Sequence, residues 1–274
     1  MMPQSFKLAL IQMLVEGGAR EKNVHRATTL IAEAAGKGAQ VALLPECLDL
    51  GWTHPSALTM AGAIPYGKAY EALSQAAKQH RVFVCAGLTE KDSDIVYNTA
   101  VLIDDDGKLL CRHRKLNELD IGHPFYAQGD RLNVAHTKLG TLGLMICADG
   151  FTKDRVLSRA LGYMGADVIL SPGAWAVPHD HDNIKEPYGD LWRGVYKPTA
   201  KEFACPIFGV SNVGLITAGP WQGRHCIGCS LAIDADGEEI LQGPYGVDAE
   251  CILYVDVKPR SRPARGTGWE EIWQ

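Results

Sequence analysis

The sequence predicts an α/β protein, because short apolar runs typical of buried strands alternate with segments whose apolar residues recur at helical spacing. A second observation is that several strand-like runs stop abruptly at polar residues. Polar residues at the carboxyl ends of strands are typical of the ligand-binding edge of an α/β sheet. A third is the length of 274 residues, which is enough for one large domain with a substantial core.

The N-terminal half is predicted to contain two helices among five strands. Strands are predicted where apolar residues run together, over residues 6–11, 41–44, 82–88, 96–103 and 108–112. Helices are predicted where apolar residues recur every three or four positions, over residues 24–35 and 69–79. Gly36 and Gly38 end the first helix, and the turn Asp104-Asp105-Asp106-Gly107 joins the last two strands as a hairpin.

The C-terminal half continues the alternation. Strands are predicted over residues 133–136, 142–146, 168–170, 207–212, 227–233, 239–241 and 250–257, and helices over 156–164 and 191–203. The segment 176–190 is too rich in Pro, Asp and His for a core element, so we predict a loop that covers a pocket as a lid.

The domain is expected to span residues 1–257. Residues 258–274 show too little apolar periodicity to fold alone, so this tail is expected to pack on another surface, at a subunit interface.

The composition argues against some classes of binding partner. The net charge is -5 and the 27 basic residues are scattered, which argues against nucleic acid or an anionic membrane surface as a partner. No apolar run is long enough to cross a membrane. The eight cysteines mostly interrupt strand-like runs, as reduced core thiols do, so we expect a cytoplasmic protein with a small-molecule partner.

Two groups of residues bear on metal binding. Cys226 and Cys229 form a CxxC motif beside His225, yet a structural zinc site needs about four ligands and no second pair lies at a suitable spacing. His179 and His181 alternate with aspartate in a predicted loop, where such side chains are usually solvated. We therefore predict no metal and no cofactor.

Three reactive side chains each follow a predicted strand. Glu46, Lys115 and Cys147 would therefore meet at one edge of a common sheet. Together they suffice for acyl transfer, since a carboxylate can take the thiol proton and an ammonium can stabilise the negative charge that develops. The turn after Cys147 could also lower the pKa of the thiol. Taken alone, Cys147 could equally be one more buried small apolar residue.

The motifs around these residues resemble those of the nitrilase-related carbon-nitrogen hydrolases. They are LLPECLDLGW around Glu46, RHRKLNE around Lys115 and GLMICADGF around Cys147. Further similar segments follow in family order: ALIQM, FYAQGD, GADVILSPGAW, GVSNVG and GCSLAIDADGEEI. The resemblance implies a four-layer αββα sandwich of the nitrilase type, in which subunits pair as a homodimer or a higher homo-oligomer. It also implies that Glu46 is the general base, Lys115 the charge stabiliser and Cys147 the nucleophile.

One departure from the family pattern concerns a second glutamate that many members carry after the lysine. The corresponding position falls near Gly122, and the nearest carboxylates are Glu118 and Asp120. We predict Glu118, because a three-residue offset can keep it on the same side of a turn as Lys115, although a plain salt bridge is an alternative. The backbone N–H of Ala148 is predicted to donate to the oxyanion.

The predicted function is hydrolysis of a small linear amide through a cysteine thioester. N-carbamoyl amide hydrolysis and nitrile hydrolysis are the alternatives within the family, and an inactive scaffold or binding protein is the non-enzyme alternative. For a carbamoyl acid, Arg193 could bind the substrate carboxylate, or it could be an ordinary surface arginine. Trp175 is predicted to line the substrate pocket and to limit substrate size.

Overall fold

The computed structural model describes residues 5–260. Its strands are β1 (Phe6–Gln12), β2 (Val41–Leu43), β3 (Phe83–Asp92), β4 (Ile95–Ile103), β5 (Leu109–Arg114), β6 (Val134–Thr137), β7 (Gly140–Leu144), β8 (Val168–Gly173), β9 (Ala176–Val177), β10 (Ile207–Ser211), β11 (Val213–Leu215), β12 (His225–Ile227), β13 (Leu231–Ile233), β14 (Glu239–Gln242) and β15 (Cys251–Val257). Its α-helices are α1 (Arg20–Gly36), α2 (Ala57–Met60), α3 (Lys68–His80), α4 (Val156–Met164) and α5 (Asp190–Phe203).

The first sheet has the strand order β15-β1-β2-β3-β4-β5. Strands β1, β2 and β3 are parallel, and the remaining pairs are antiparallel. Side chains alternate across this sheet as the pleat requires. Leu8 and Leu10 of β1 face the second sheet, whereas Ala9 and Ile11 pack with Ile31 of α1 and with residues of α3.

The second sheet has the order β14-β13-β10-β8-β7-β6, with β7, β8 and β10 parallel. Leu142, Leu170 and Phe208 of this sheet share one buried cluster with the inward residues of the first sheet. Helices α4 and α5 contribute Leu161 and Trp192 to the same cluster. The layers are therefore helix, sheet, sheet and helix, which confirms the predicted αββα sandwich.

The predicted strand over residues 227–233 is wrong, because this stretch belongs to two strands in different sheets. Gly228 and Cys229 have φ of 67° and 58°, which ends β12 before β13 begins. Strand β12 pairs with β9 and β11 in a small third sheet. The predicted lid begins within β9, and the rest of the segment up to α5 is irregular.

The domain is predicted to end at residue 257, with a tail after it. Strand β15 ends at Val257, and the tail from residue 261 onward lies outside the described residues. Over residues 5–260, no helix is both long and apolar enough to cross a membrane. In the same range, no group of three or more His, Cys, Asp or Glu side chains is arranged to hold a metal ion.

Candidate active site

Glu46 lies just beyond β2, in contact with both sheets. Its side chain is 0% exposed, and its backbone N–H donates to the carbonyl of Gly173 at the end of β8. A side chain at position 87 would bring its Cβ to 2.5 Å from the Glu46 Cα. Gly87 therefore permits the close approach of β3 that buries the carboxylate.

Lys115 follows β5 and is also buried. Its Nζ donates to Glu46 Oε1 at 2.7 Å and to Glu118 Oε1 at 2.9 Å. Asn98 of β4 joins the two carboxylates from another side, because its Nδ2 donates to Glu46 Oε1 at 2.6 Å and to Glu118 Oε2 at 3.0 Å. Trp52 Nε1 donates to Glu118 Oε1 at 3.3 Å. One ammonium thus serves two carboxylates in a buried cluster.

Cys147 begins a 3-10 turn (Cys147–Phe151) just after β7 of the second sheet. Its φ of 44° lies in the left-handed region, so the backbone turns sharply there and directs the thiol to the sheet edge. The backbone N–H of Ala174, which follows β8, donates to the Cys147 sulfur. The thiol also interacts with Glu46 and Lys115, so the three predicted residues lie together.

Burial sets the resting protonation of this cluster. It raises the pKa of the Cys147 thiol well above its usual value; Glu46 adds to this effect and Lys115 opposes it. The predicted lowering of the thiol pKa is therefore wrong, because desolvation outweighs the nearby ammonium. Burial also raises the pKa of Glu46 against the opposing effect of Lys115. For Lys115, burial opposes the charge, but Glu46, Glu118 and Cys147 together hold its pKa well above the ordinary value.

A second buried pair fixes the turn that begins at Cys147 to the loop that carries Lys115. Asp149 Oδ2 lies 2.7 Å from His113 Nε2 and accepts the Ile146 N–H, while Oδ1 accepts the N–H groups of Leu116 and Asn117. Despite full burial, these donors lower the pKa of Asp149. The ionised carboxylate therefore couples β5 of one sheet to the turn after β7 of the other.

The structure distinguishes between the two candidates for the second carboxylate. Glu118 contacts Lys115 directly, whereas Asp120 is exposed in a short 3-10 turn. Ala148 directly follows Cys147 within the turn Cys147–Phe151 and is buried. The catalytic roles predicted for these residues remain predictions.

Trp175 is 2% exposed and lies one residue after Ala174. Its ring stacks on Trp192 of α5 with centroids 4.3 Å apart, and it also contacts Tyr188 at 6.1 Å. Tyr188 belongs to the predicted lid; burial raises its pKa, and Cys147 adds to this effect. The start of α5 and the predicted lid therefore pack beside Cys147.

Other candidates from the sequence lie outside this cluster. Arg193 is engaged by Glu239, Asp190 and Gln242, so its guanidinium is already occupied by protein partners. Cys226 and Cys229 are free thiols, as are the other six cysteines.

Sequence reasoning missed Asn98, Trp52 and the Asp149–His113 pair. Asn98 did carry a signal, since it is the lone amide in the middle of the predicted strand VYNTAV. A polar side chain buried in a strand must find a hydrogen-bond partner, and here the partners are the two glutamates.

Residues 7–265 match the family model of the carbon-nitrogen hydrolases. The chain is 34% identical over 180 residues to the omega-amidase NIT2 of Xenopus tropicalis, a match that covers 62% of this chain and 64% of the relative. It is also 34% identical over 178 residues to a nitrilase of Pyrococcus abyssi, covering 63% and 66%. These matches thus span less than two thirds of the relatives' length.

Solved structures share the fold over a longer range. Nit3 of Saccharomyces cerevisiae matches with a TM-score of 0.80 at 22% identity, over 94% of this chain and 92% of that one. A carbon-nitrogen hydrolase of Helicobacter pylori matches with a TM-score of 0.81 at 22% identity, over 93% and 90%. An amidase of Nesterenkonia gives 0.77 at 20% identity, over 94% and 92%. With a family model that matches most of its length and with the same sandwich, the chain belongs to the carbon-nitrogen hydrolase family.

Proposed function

We propose that the protein hydrolyses small linear amides, with Cys147 as nucleophile, Glu46 as general base and Lys115 as the charge stabiliser. The observation that carries the proposal is the buried cluster in which Lys115 Nζ lies 2.7 Å from Glu46 Oε1 and both side chains interact with the Cys147 thiol. The relatives named omega-amidase and amidase support the choice of amides. A variant of the Nesterenkonia amidase has been solved with butyramide, which is a small linear amide.

In the first half-reaction, Glu46 takes the proton of the Cys147 thiol as the sulfur attacks the amide carbon. Its raised pKa suits it to this task, because a carboxylate that is costly to keep ionised accepts a proton more readily. Lys115 and the N–H of Ala148 stabilise the oxyanion of the tetrahedral intermediate. The protonated Glu46 then gives its proton to the departing nitrogen, ammonia leaves, and a thioester remains on Cys147.

In the second half-reaction, a water attacks the thioester. Glu46 accepts a proton from this water, and Lys115 again faces the oxyanion. Collapse of the intermediate breaks the carbon–sulfur bond, and the proton held by Glu46 returns to the sulfur. The products are a carboxylic acid and the free thiol, so one water is consumed for each ammonia released.

Glu118 is proposed to hold Lys115 in place. It would compete with Glu46 for the positive charge of the Lys115 ammonium. Trp175 is proposed to limit the size of the acyl group through its packing with Tyr188 and Trp192. The protein is proposed to act in the cytoplasm, which is supported by its eight free cysteines, since thiols persist in a reducing compartment.

Cys147→Ala tests the mechanism. We expect ammonia release from small amides to fall at least about 1,000-fold, because the covalent route is lost. The variant should fold as the parent does, since one small side chain is truncated, and its unfolding transition followed by circular dichroism checks this. Substantial retained turnover would contradict the mechanism.

An ammonia-release screen across amides, nitriles and carbamoyl compounds tests the reaction class. Nitrile hydrolysis is the second candidate, because one relative is named a nitrilase. N-carbamoyl acids are disfavoured because Arg193 is held by Glu239 and its neighbours. If the wild-type protein releases ammonia from none of these compounds, the inactive scaffold becomes the better interpretation.

A further inference from the structure

A small open cavity adjoins the reaction centre. Two of its wall residues also contact the cluster: Trp52 donates to Glu118, and Ala174 donates its backbone N–H to the Cys147 sulfur. Cys226 also forms part of the wall. Burial raises the pKa of its thiol, and the Glu46 carboxylate adds to this effect. The cavity is therefore within electrostatic reach of the reacting groups.

Asn212 lines this cavity and carries an unused hydrogen-bonding atom. The residue is 5% exposed, and its Oδ1 is buried without a donor among residues 5–260. The Asn212 side chain lies beside Cys226: burial raises the pKa of that thiol, and Asn212 opposes the effect. A buried carbonyl oxygen without a donor is unfavourable, and a ligand that brings an N–H or O–H group would satisfy it.

His54 also lines this cavity. His54 Nδ1 accepts the Ser56 backbone N–H at 3.2 Å and lies 2.8 Å from Ser56 Oγ, which can also donate to it. Both contacts are satisfied when the ring proton of the neutral imidazole is on Nε2. Burial lowers the pKa of His54, so the ring is neutral at pH 7. Among the described residues, the cavity wall includes no lysine or arginine.

These features distinguish between two kinds of acyl chain. A carboxylate placed here would find no cation and would face the lone pairs of Asn212 Oδ1, which disfavours it. A neutral carboxamide or hydroxyl can donate to Asn212 Oδ1 and accept from His54 Nε2. Both groups of the cavity are then satisfied by one ligand.

We propose that the cavity receives the far end of the acyl chain and selects amide substrates that carry a neutral hydrogen-bonding group there over those that carry a carboxylate. Asn212 is the specificity-determining residue in this arrangement. The inference rests on the proposed amide hydrolysis, and it adds the chemical class of the substrate.

Three amides of matched length test the selection: glutaramide, which ends in a carboxamide; glutaramate, which ends in a carboxylate; and 5-methylhexanamide, which ends in an apolar group of the same shape. We expect kcat/KM for glutaramide to exceed that for each of the other two by at least about 10-fold. Ammonia release at pH 7 measures all three.

Two variants of Asn212 then test the residue. Asn212→Leu removes the acceptor and should lower kcat/KM for glutaramide about 10- to 100-fold, with a change below about threefold for 5-methylhexanamide. Asn212→Asp keeps an acceptor in the same place and should retain the preference for glutaramide over 5-methylhexanamide. Asn133→Leu is a matched control, because Asn133 donates to the Arg112 carbonyl and does not line the cavity, and it should leave all three rates unchanged.

The outcomes separate this inference from the proposed function. Hydrolysis of glutaramate as fast as glutaramide, or an unchanged substrate ratio in Asn212→Leu, overturns the inference and leaves amide hydrolysis standing. If Asn212→Leu does not fold, the kcat/KM ratios of the wild-type protein for the three amides and the behaviour of Asn212→Asp decide the question. Loss of the preference for glutaramide in Asn212→Asp counts against the inference. Ammonia release from none of the three amides overturns both proposals.

Discussion

Glu118 and Glu46 both accept a hydrogen bond from the Lys115 ammonium. Glu118→Gln should lower kcat about 100-fold, because Lys115 would then pair with Glu46 alone and make it a weaker base. Asp120→Asn is the matched control, since this exposed carboxylate lies two residues further on. Near-normal turnover of the Gln variant, with slightly reduced stability, would assign Glu118 to a plain salt bridge.

Asn98 leads to a prediction about pH. Its N–H bond favours the ionised form of Glu46, so Asn98→Ala should raise the pKa of that carboxyl further. The proposed reaction needs Glu46 ionised, and the acid limb of the kcat/KM profile should therefore move to higher pH, by about one unit. The position of this acid limb reflects the titration of the coupled cluster as a whole and not the pKa of one residue. If the acid limb of Asn98→Ala lies at the same pH as that of the wild-type protein, the limb is set by a group outside this cluster.

Asp149 acts at the scale of elements, because it joins the turn after β7 to the loop after β5. Asp149→Asn places an amide N–H against the Ile146 N–H and removes the charge that His113 and three backbone donors share. We expect the free energy of unfolding at pH 7 to fall by about 3 kcal/mol, measured by urea denaturation. Asp130→Asn, at an exposed pair with Arg131, should leave the free energy of unfolding almost unchanged.

The pH dependence of that difference has a definite sign. The pKa of Asp149 is lower in the folded protein than in the unfolded chain, so its stabilisation is complete above the unfolded value. It is lost as the pH falls below about 4, through the folded pKa. The gap between the wild-type protein and Asp149→Asn should therefore narrow in acid. A gap that stays constant from pH 7 into acid would contradict the assignment.

The lengths of the helices and strands explain which parts of the structure could be predicted from the sequence. Long elements such as α1 and β4 have enough apolar residues to show their period, and strand ends place Glu46, Lys115 and Cys147 at the edges of the sheets. Strands β9, β11 and β12 have two or three residues each, too few for any period. Trp52 and Asn98 reach the site through contacts between distant segments, which local patterns do not encode.

At the scale of the whole molecule, the outer surface of α4 and α5 carries exposed apolar side chains. Val156 is 55% exposed and Leu191 61% exposed, on two helices that pack side by side. We predict that this surface pairs two copies of the chain, since apolar side chains on neighbouring elements are typical of interfaces. The double variant Val156→Glu/Leu191→Glu should shift the mass measured by light scattering from dimer to monomer. Leu58→Glu, at a 53% exposed position on α2, should leave it unchanged. A wild-type mass of one chain would contradict the prediction.

The pairing of β15 with β1 has a consequence for how the protein is made. Phe6 pairs with Val257, so the first sheet is closed by residues from opposite ends of the sequence. Such pairings have high contact order and form slowly. During synthesis, β1 to β5 can assemble well before β15 leaves the ribosome, and the open edge of β1 stays available to other chains until then. We therefore expect a nascent chain truncated before β15 to aggregate, although it already contains Glu46, Lys115 and Cys147.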